Sequence, residues 1–228
     1  MQQLAFSGRL QTILKCIKNC EVLADIGTDH AYLPIEAIRA GVCKRAVACD
    51  ISPGPLKIAN FNIQEAELKN HIETRLGDGL KPLKKDEADC IVIAGMGGKR
   101  ICEILFNSRE KIKNLILQPQ HDLEELRRFL HSNGYTIKNE ELTREKERFY
   151  IILVAQNAKI SGENQVIPWT EEEYFLGKFL LEKSRKNADI TDYFRQSHKK
   201  ISGYIHSVNK TSARELAEKR LSWLEEWI

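Results

Sequence analysis

Val22-Leu23-Ala24-Asp25-Ile26-Gly27-Thr28-Asp29-His30-Ala31-Tyr32-Leu33-Pro34 decides the fold of this chain. An apolar run stops at an acid and a glycine, and a helical pattern then begins. A buried parallel strand that turns sharply over a crevice has this form. A second strand, Arg45-Ala46-Val47-Ala48-Cys49-Asp50, ends in an acid 23 residues after Gly27. At that distance a second strand can place a carboxylate on a ribose diol, which donates two hydrogen bonds to it. Alone, Asp25 and Gly27 are equally well read as a plain strand-to-helix turn.

Outward from this stretch, strands and helices alternate. The pattern predicts a helix over 8–18 capped by Ser7, a helix over 31–40 ended by Gly41, and a helix opened by Pro53 and Pro55 and running to 68. Strands are predicted over 72–76, 89–94 and 115–117, and helices over 99–106 and 122–131, the last capped by Asp122. Segments 136–142 and 149–154 have no helix between them and predict an antiparallel edge. The fold class is α/β: a Rossmann-like, mostly parallel sheet with helices on both faces.

After Ala155 the pattern changes. A linker over 156–168 separates a domain of residues 1–156 from a helical one of 157–228. Thr170 caps a helix over 171–186. Ile190, Phe194, Ser197, Ile201, Tyr204 and Val208 step as a heptad seam. Asn209–Ser212 breaks it, Ser212 and Glu215 form a capping box, and Leu216, Arg220, Trp223 and Trp227 continue the stripe. The result is a coiled-coil-like hairpin. The seam can close within one chain or between two, and a monomer is favoured.

The 228 residues are 42% apolar and 29% charged, the balance of an ordinary globular chain. No apolar stretch reaches the roughly 18 residues of a membrane span, and Met1–Arg9 does not have the form of a signal peptide. The cysteines 16, 20, 43, 49, 90 and 102 include no Cys-x-x-Cys pair and no zinc spacing, so no metal is predicted. They read as reduced thiols of a cytoplasmic protein. The net charge of +3 announces no polyanion partner by itself.

Three further motifs lie at strand ends. Thr28, Asp29 and His30 occupy positions where a pyrophosphate would need small residues, so a dinucleotide is disfavoured. S-adenosyl-L-methionine, which has ribose and adenine but no phosphate, fits better, with Asp25 and Asp29 suited to its positive end. Gly77-Asp78-Gly79-Leu80 leaves Asp78 free to accept from an adenine amino group, or is a surface turn. Ala94-Gly95-Met96-Gly97-Gly98 presents bare backbone, with Met96 as a wall against a flat ring or a sulfur. Gln118-Pro119-Gln120-His121 offers an amide to a base edge, or is a strand stop. Arg148, in a run with Arg144 and Lys146 beside Phe149 and Tyr150, suits a phosphate chain or is a solvated hairpin charge.

Six stretches in series resemble the TrmK family of bacterial tRNA adenine-N1 methyltransferases, which act on adenosine 22. They are Ser7–Leu10, Asp25–Pro34, Asp50–Leu56, Gly77–Leu80, Ala94–Gly98 and Gln118-Pro119. The resemblance implies a class I methyltransferase sheet, S-adenosyl-L-methionine as methyl donor, tRNA as partner, and a helical tail that helps hold it. The family often has Asn where this chain has Gln120. On this reading Asp25, Gly27, Asp50, Ile51, Asp78, Gly79, Ala94, Gly95 and Met96 bind the cofactor, and Arg9 joins them by resemblance alone. Asp29, then His30, are candidate catalytic residues for the N6 proton, although His30 also reads as a polar residue at a helix start. Gly97, Gly98, Gln118 and Arg148 are assigned to the substrate. Other readings are methylation of another RNA site or of a small molecule, a non-catalytic nucleotide-binding scaffold and, more distantly, a NAD-linked oxidoreductase.

Overall fold

A computed structural model describes residues 8–108, 112–163, 165–208 and 210–228. Ser7 and Asn209 lie outside the described residues. Seven strands form one sheet: β1 (Cys20–Ile26), β2 (Cys43–Asp50), β3 (Ile72–Leu76), β4 (Cys90–Met96), β5 (Asn114–Pro119), β6 (Tyr135–Glu145) and β7 (Arg148–Asn157). Their order is β3-β2-β1-β4-β5-β7-β6. The first five are parallel, and β7 runs antiparallel to both β5 and β6. The antiparallel character predicted for this edge thus comes from β7, one place in from the border.

Side-chain alternation explains the two cores. Val22, Ala24 and Ile26 face one side of the sheet and Leu23 the other; Ile91 and Ile93 oppose Val92 in the same way. Helices α1 (Gly8–Cys16), α2 (Tyr32–Arg39) and α3 (Pro53–Glu65) cover the Leu23 face with Ile13, Ile35 and Ile63. Helices α4 (Gly98–Phe106) and α5 (Leu123–Ser132) cover the other with Ile101, Leu126 and Leu130. Burial on both faces is why these strands read as continuous apolar runs.

The C-terminal region holds α6 (Lys178–Ser184), α7 (Ala188–Tyr204) and α8 (Thr211–Glu225). Thr170 caps as expected: Glu173 N–H donates to its Oγ1 at 3.1 Å, and its own N–H donates to Glu173 at 2.7 Å. The helix predicted over 171–186 is interrupted by a π-helical turn, Glu173–Gly177. The cause is Arg127 of α5, fully buried and paired with the equally buried Glu140 at 2.8 Å. Its guanidinium also donates to the carbonyls of Tyr174 and Phe175, at 2.8 and 2.9 Å. The π-turn releases those carbonyls from helical pairing. Gly177, at φ +99°, lies against the guanidinium, where a Cβ would collide with it.

Other local expectations are corrected. Asp122 stands at the N-cap of α5 but adopts φ 57° and makes no cap bond; its carboxylate meets His121 Nδ1 at 2.7 Å instead. Ser212 lies inside α8, which starts one residue earlier, so no capping box forms. The seam keeps Ile190, Phe194 and Ile201, but Tyr204 is exposed and Ile205 replaces it; Ala217 and Leu224 are buried while Leu216 is exposed. These helices also pack on Ile151, Leu176 and Leu180, and a stripe serving several neighbours does not keep a strict heptad. Packing continues across residue 156: Trp169 and Tyr174 belong to the sheet core, and Ile151 to the helical one.

Candidate functional site

The carboxyl edge of β1, β2, β4 and β5 gathers most of the sequence-predicted residues. Gly27 takes φ +81°, and the N–H groups of Gly27 and Thr28 both donate to the Cys49 carbonyl, at 2.8 and 2.9 Å. The turn is thereby tied to the end of β2. Met96 reaches across from β4 and occupies the space that a Cβ on Gly27 would need. Gly95 takes φ +77° at an irregularity where the β4–β5 register shifts between Ala94 and Met96. A bulge there re-aims the strand end, and glycine alone adopts that backbone without strain.

Asp50 accepts from the Ser52 N–H through Oδ1 at 2.7 Å, which leaves Oδ2 available. Beside it Ile51 is 63% exposed, an apolar side chain uncovered at the crevice. Asp25 is buried within the edge. Burial, reinforced by the nearby Asp50 charge, pushes its carboxyl up to about 6, against the opposing effects of Thr28 and Arg9. A cationic ligand group beside this carboxyl would relieve the cost of its burial.

The linkage has a definite sign. The folded state holds the Asp25 proton more tightly than the unfolded chain, so the favourable contribution is complete below about pH 4 and is lost as pH rises through about 6. Asp25→Asn is therefore expected to stabilise the ligand-free protein above pH 7 by up to about 3 kcal/mol, with the advantage vanishing near pH 3.5. Thermal unfolding across pH checks this; a pH-independent offset would refute it.

Arg9 projects from α1 into the same region. Its Nη1 donates to Gln118 Oε1 at 2.7 Å, and its guanidinium lies 5.6 Å from the centre of the Tyr150 ring. The Arg9 backbone N–H donates to Glu145 at the β6–β7 hairpin. Gln118 is 1% exposed. Its Oε1 also accepts from the Gly95 N–H at 3.2 Å, and its Nε2 donates to the Pro119 carbonyl at 2.8 Å. Both ends of this amide are thus engaged within the protein, where the sequence had assigned it to a substrate base. Gln118 holds both Gly95 and Arg9, the latter 109 residues away in sequence, with no local signal for either contact.

Asp29 and His30 lie together, with His30 Nε2 3.2 Å from an Asp29 oxygen; the Asp29 side chain is 74% exposed. His30 stacks on Tyr32 with ring centres 5.1 Å apart. Its Nδ1 is buried with no hydrogen-bond partner among the described residues. The next residue, Ala31, takes φ +57°, a strained backbone for a residue with a Cβ. Asp78 is less free than expected. Lys81 at 2.8 Å and Arg100 at 2.6 Å hold its carboxyl below the usual range, in that order of effect. Gly79 takes φ +58° close to Ile104.

Gly97 and Gly98 have a packing reason to be glycine. A Cβ on Gly97 would enter the His121 ring, and one on Gly98 would lie 2.8 Å from the His121 carbonyl oxygen. Arg148 is exposed at the start of β7, opposite Glu145 in register. Glu145 and Arg100 carry no local sign of their contacts with Arg9 and Asp78, because each arrives from another element; Tyr150, read beside Arg148 as suited to a phosphate chain, lies under the Arg9 guanidinium. Among the described residues no helix is long and apolar enough to cross a membrane.

Comparison with known proteins places this edge in context. The chain is 41% identical to the Bacillus subtilis tRNA (adenine(22)-N(1))-methyltransferase, covering 100% of this chain and 99% of that one. The structure of M. capricolum TrmK in complex with S-adenosyl-homocysteine superposes with TM-score 0.83 at 30% identity, covering 97% of this chain and 96% of that one. The B. subtilis TrmK crystal structure gives TM-score 0.84 at 32% identity, covering 97% and 98%. Residues 23–226 match the TrmK family, described as tRNA (adenine(22)-N(1))-methyltransferase. A sheet of this order, ending in glycine turns around a buried acid and matched over nearly its whole length, makes this chain a member of the TrmK family.

Proposed function

We propose that this protein transfers the methyl group of S-adenosyl-L-methionine to N1 of adenosine 22 in tRNA. The family match over residues 23–226 carries this reading. The crevice fits the donor: the Gly27 turn keeps its backbone bare beneath Met96, Asp50 keeps one oxygen free, and Ile51 is an uncovered apolar surface. When bound, the donor supplies a methyl group on a positively charged sulfur.

Asp50 accepts from the ribose hydroxyls, and Ile51 covers the adenine. Asp25 and Arg9 carry opposite charges for the amino and carboxylate groups of the methionine moiety. Gly27, Ala94 and Gly95 keep the backbone close, and Met96 excludes water. Asp78 and Gly79 lie toward the donor's adenine, with Asp78 sharing its carboxylate with Arg100 and Lys81. Adenine N1 has its own lone pair, so the protein's task is mainly to align it and exclude solvent. Methylation leaves a cation unless N6 gives up a proton; Asp29 accepts that proton, with His30 as its neighbour.

The target base must be unpaired to expose N1. Gly97 and Arg148 are assigned to the RNA, and residues 157–228 to the larger tRNA contact; Gly98, buried against the His121 and Asp122 backbone, supports the turn that presents Gly97. The α7–α8 stripe is satisfied within one chain, Phe194 and Ile201 sharing a core with Ala217 and Leu224, which supports a monomer. We place the enzyme in the cytoplasm with its substrate. Incubating an unmodified tRNA transcript with labelled donor should yield one 1-methyladenosine at position 22. No label in RNA, or label at another nucleoside, would reject the reading.

A further inference from the structure

Two glutamines flank Pro119, and the structure treats them oppositely. Gln118 is buried with its amide engaged by Arg9, Gly95 and Pro119. Gln120 is exposed. Its backbone N–H donates to the Met96 carbonyl at 2.8 Å, which fixes this residue against the end of β4. Its side-chain nitrogen lies 4.0 Å from the point where a Cβ on Gly95 would stand, and Arg9 Nη1 lies 3.8 Å from the same point. An amide with no hydrogen-bond partner among the described residues therefore stands over the bare backbone of the β4 bulge, its main chain tied to the strand end.

The chemistry of the target narrows what that amide can do. On the methyl-transfer reading above, N1 of adenine must face the donor, so no protein group can cover it. The edge left for recognition carries the N6 amino group and N7. A glutamine amide matches that edge with two hydrogen bonds, its oxygen accepting from N6 and its nitrogen donating to N7. Guanine presents two acceptors there, O6 and N7, and the amide oxygen would face O6 without a hydrogen between them. We propose that Gln120 reads the N6/N7 edge of the target adenine, selecting adenine over guanine and leaving N1 open to the methyl group.

The test uses full-length enzyme and tRNA assembled by ligation with adenosine or 7-deazaadenosine at position 22. The 7-deaza base lacks the N7 acceptor and keeps N1 and N6. Wild-type kcat/KM should fall roughly 10-fold on the 7-deaza tRNA. Gln120→Leu should lose roughly 10- to 100-fold on the adenosine tRNA and be indifferent to the 7-deaza change. Its affinity for S-adenosyl-homocysteine by calorimetry should stay within about 2-fold of wild type, because the amide touches the base and not the cofactor. A wild-type enzyme indifferent to 7-deazaadenosine overturns the assignment. So does a Gln120→Leu enzyme that is fully active, that keeps the 7-deaza penalty, or that loses cofactor affinity in step with activity. A wild-type enzyme inert on the adenosine tRNA would instead bring down the methyl-transfer reading and this assignment together.

Discussion

Asp50→Ala is expected to weaken binding of S-adenosyl-L-methionine by at least about 100-fold, since each hydrogen bond to a charged group contributes about 1.5–3 kcal/mol and the ribose diol donates two. Calorimetry with the donor or its demethylated product reads the loss. The variant should remain folded: one Asp50 oxygen serves the Ser52 N–H at the turn into α3, and losing one such hydrogen bond costs about 1 kcal/mol. Asp50→Asn separates the two roles. Its amide oxygen can still serve Ser52, while the charge that accepts from the diol is gone, so affinity should fall with little change in melting temperature. Unchanged affinity in Asp50→Ala would remove the ribose assignment and much of the cofactor site with it.

Arg127→Met is expected to cost about 3–5 kcal/mol of stability, because it leaves the buried Glu140 carboxylate without its counter-ion. For a chain of this size that lowers the melting temperature by roughly 10 °C. The same change strands the Tyr174 and Phe175 carbonyls that receive the guanidinium. The damage should appear locally in hydrogen exchange over the Glu173–Gly177 turn and α6 before it reaches the parallel strands. The double variant Arg127→Met, Glu140→Leu should recover much of the loss, since no uncompensated charge remains. Because this pair seats the helical region on α5 and β6, the single variant should lose tRNA affinity before cofactor affinity if residues 157–228 hold the RNA. A single variant as stable as wild type would show that the pair does not anchor the helices.

Both predictions depend on buried charge, but they differ in how the charge could be recognised. Asp50 stands at a fixed distance from Gly27, at the end of an apolar run, and its place follows from strand periodicity and one crossover. Arg127 sits in an amphipathic helix, where its neighbours in sequence suggest a solvated position. Only the arrival of β6 and the π-turn encloses it.

The site divides in the same way. The glycine at the end of β1, the acid at the end of β2 and the glycine run after β4 were readable because each meets a local demand, a positive φ or a strand end. The Asp29–His30 contact is local as well. By contrast, the competition of Arg100 and Lys81 for Asp78, the cover of Met96 over Gly27, and the His121 ring that requires Gly97 depend on elements that meet only in the folded chain. The chain by itself determined the alternation of strands and helices, the turns of the crevice and the acids at its strand ends, because periodicity and backbone preference act within a few residues. The tertiary structure alone decided which of two neighbouring glutamines is consumed by Arg9, and where the helical stripe of α7 and α8 is buried. Those outcomes turn on contacts between residues far apart in sequence, whose partners no local pattern specifies.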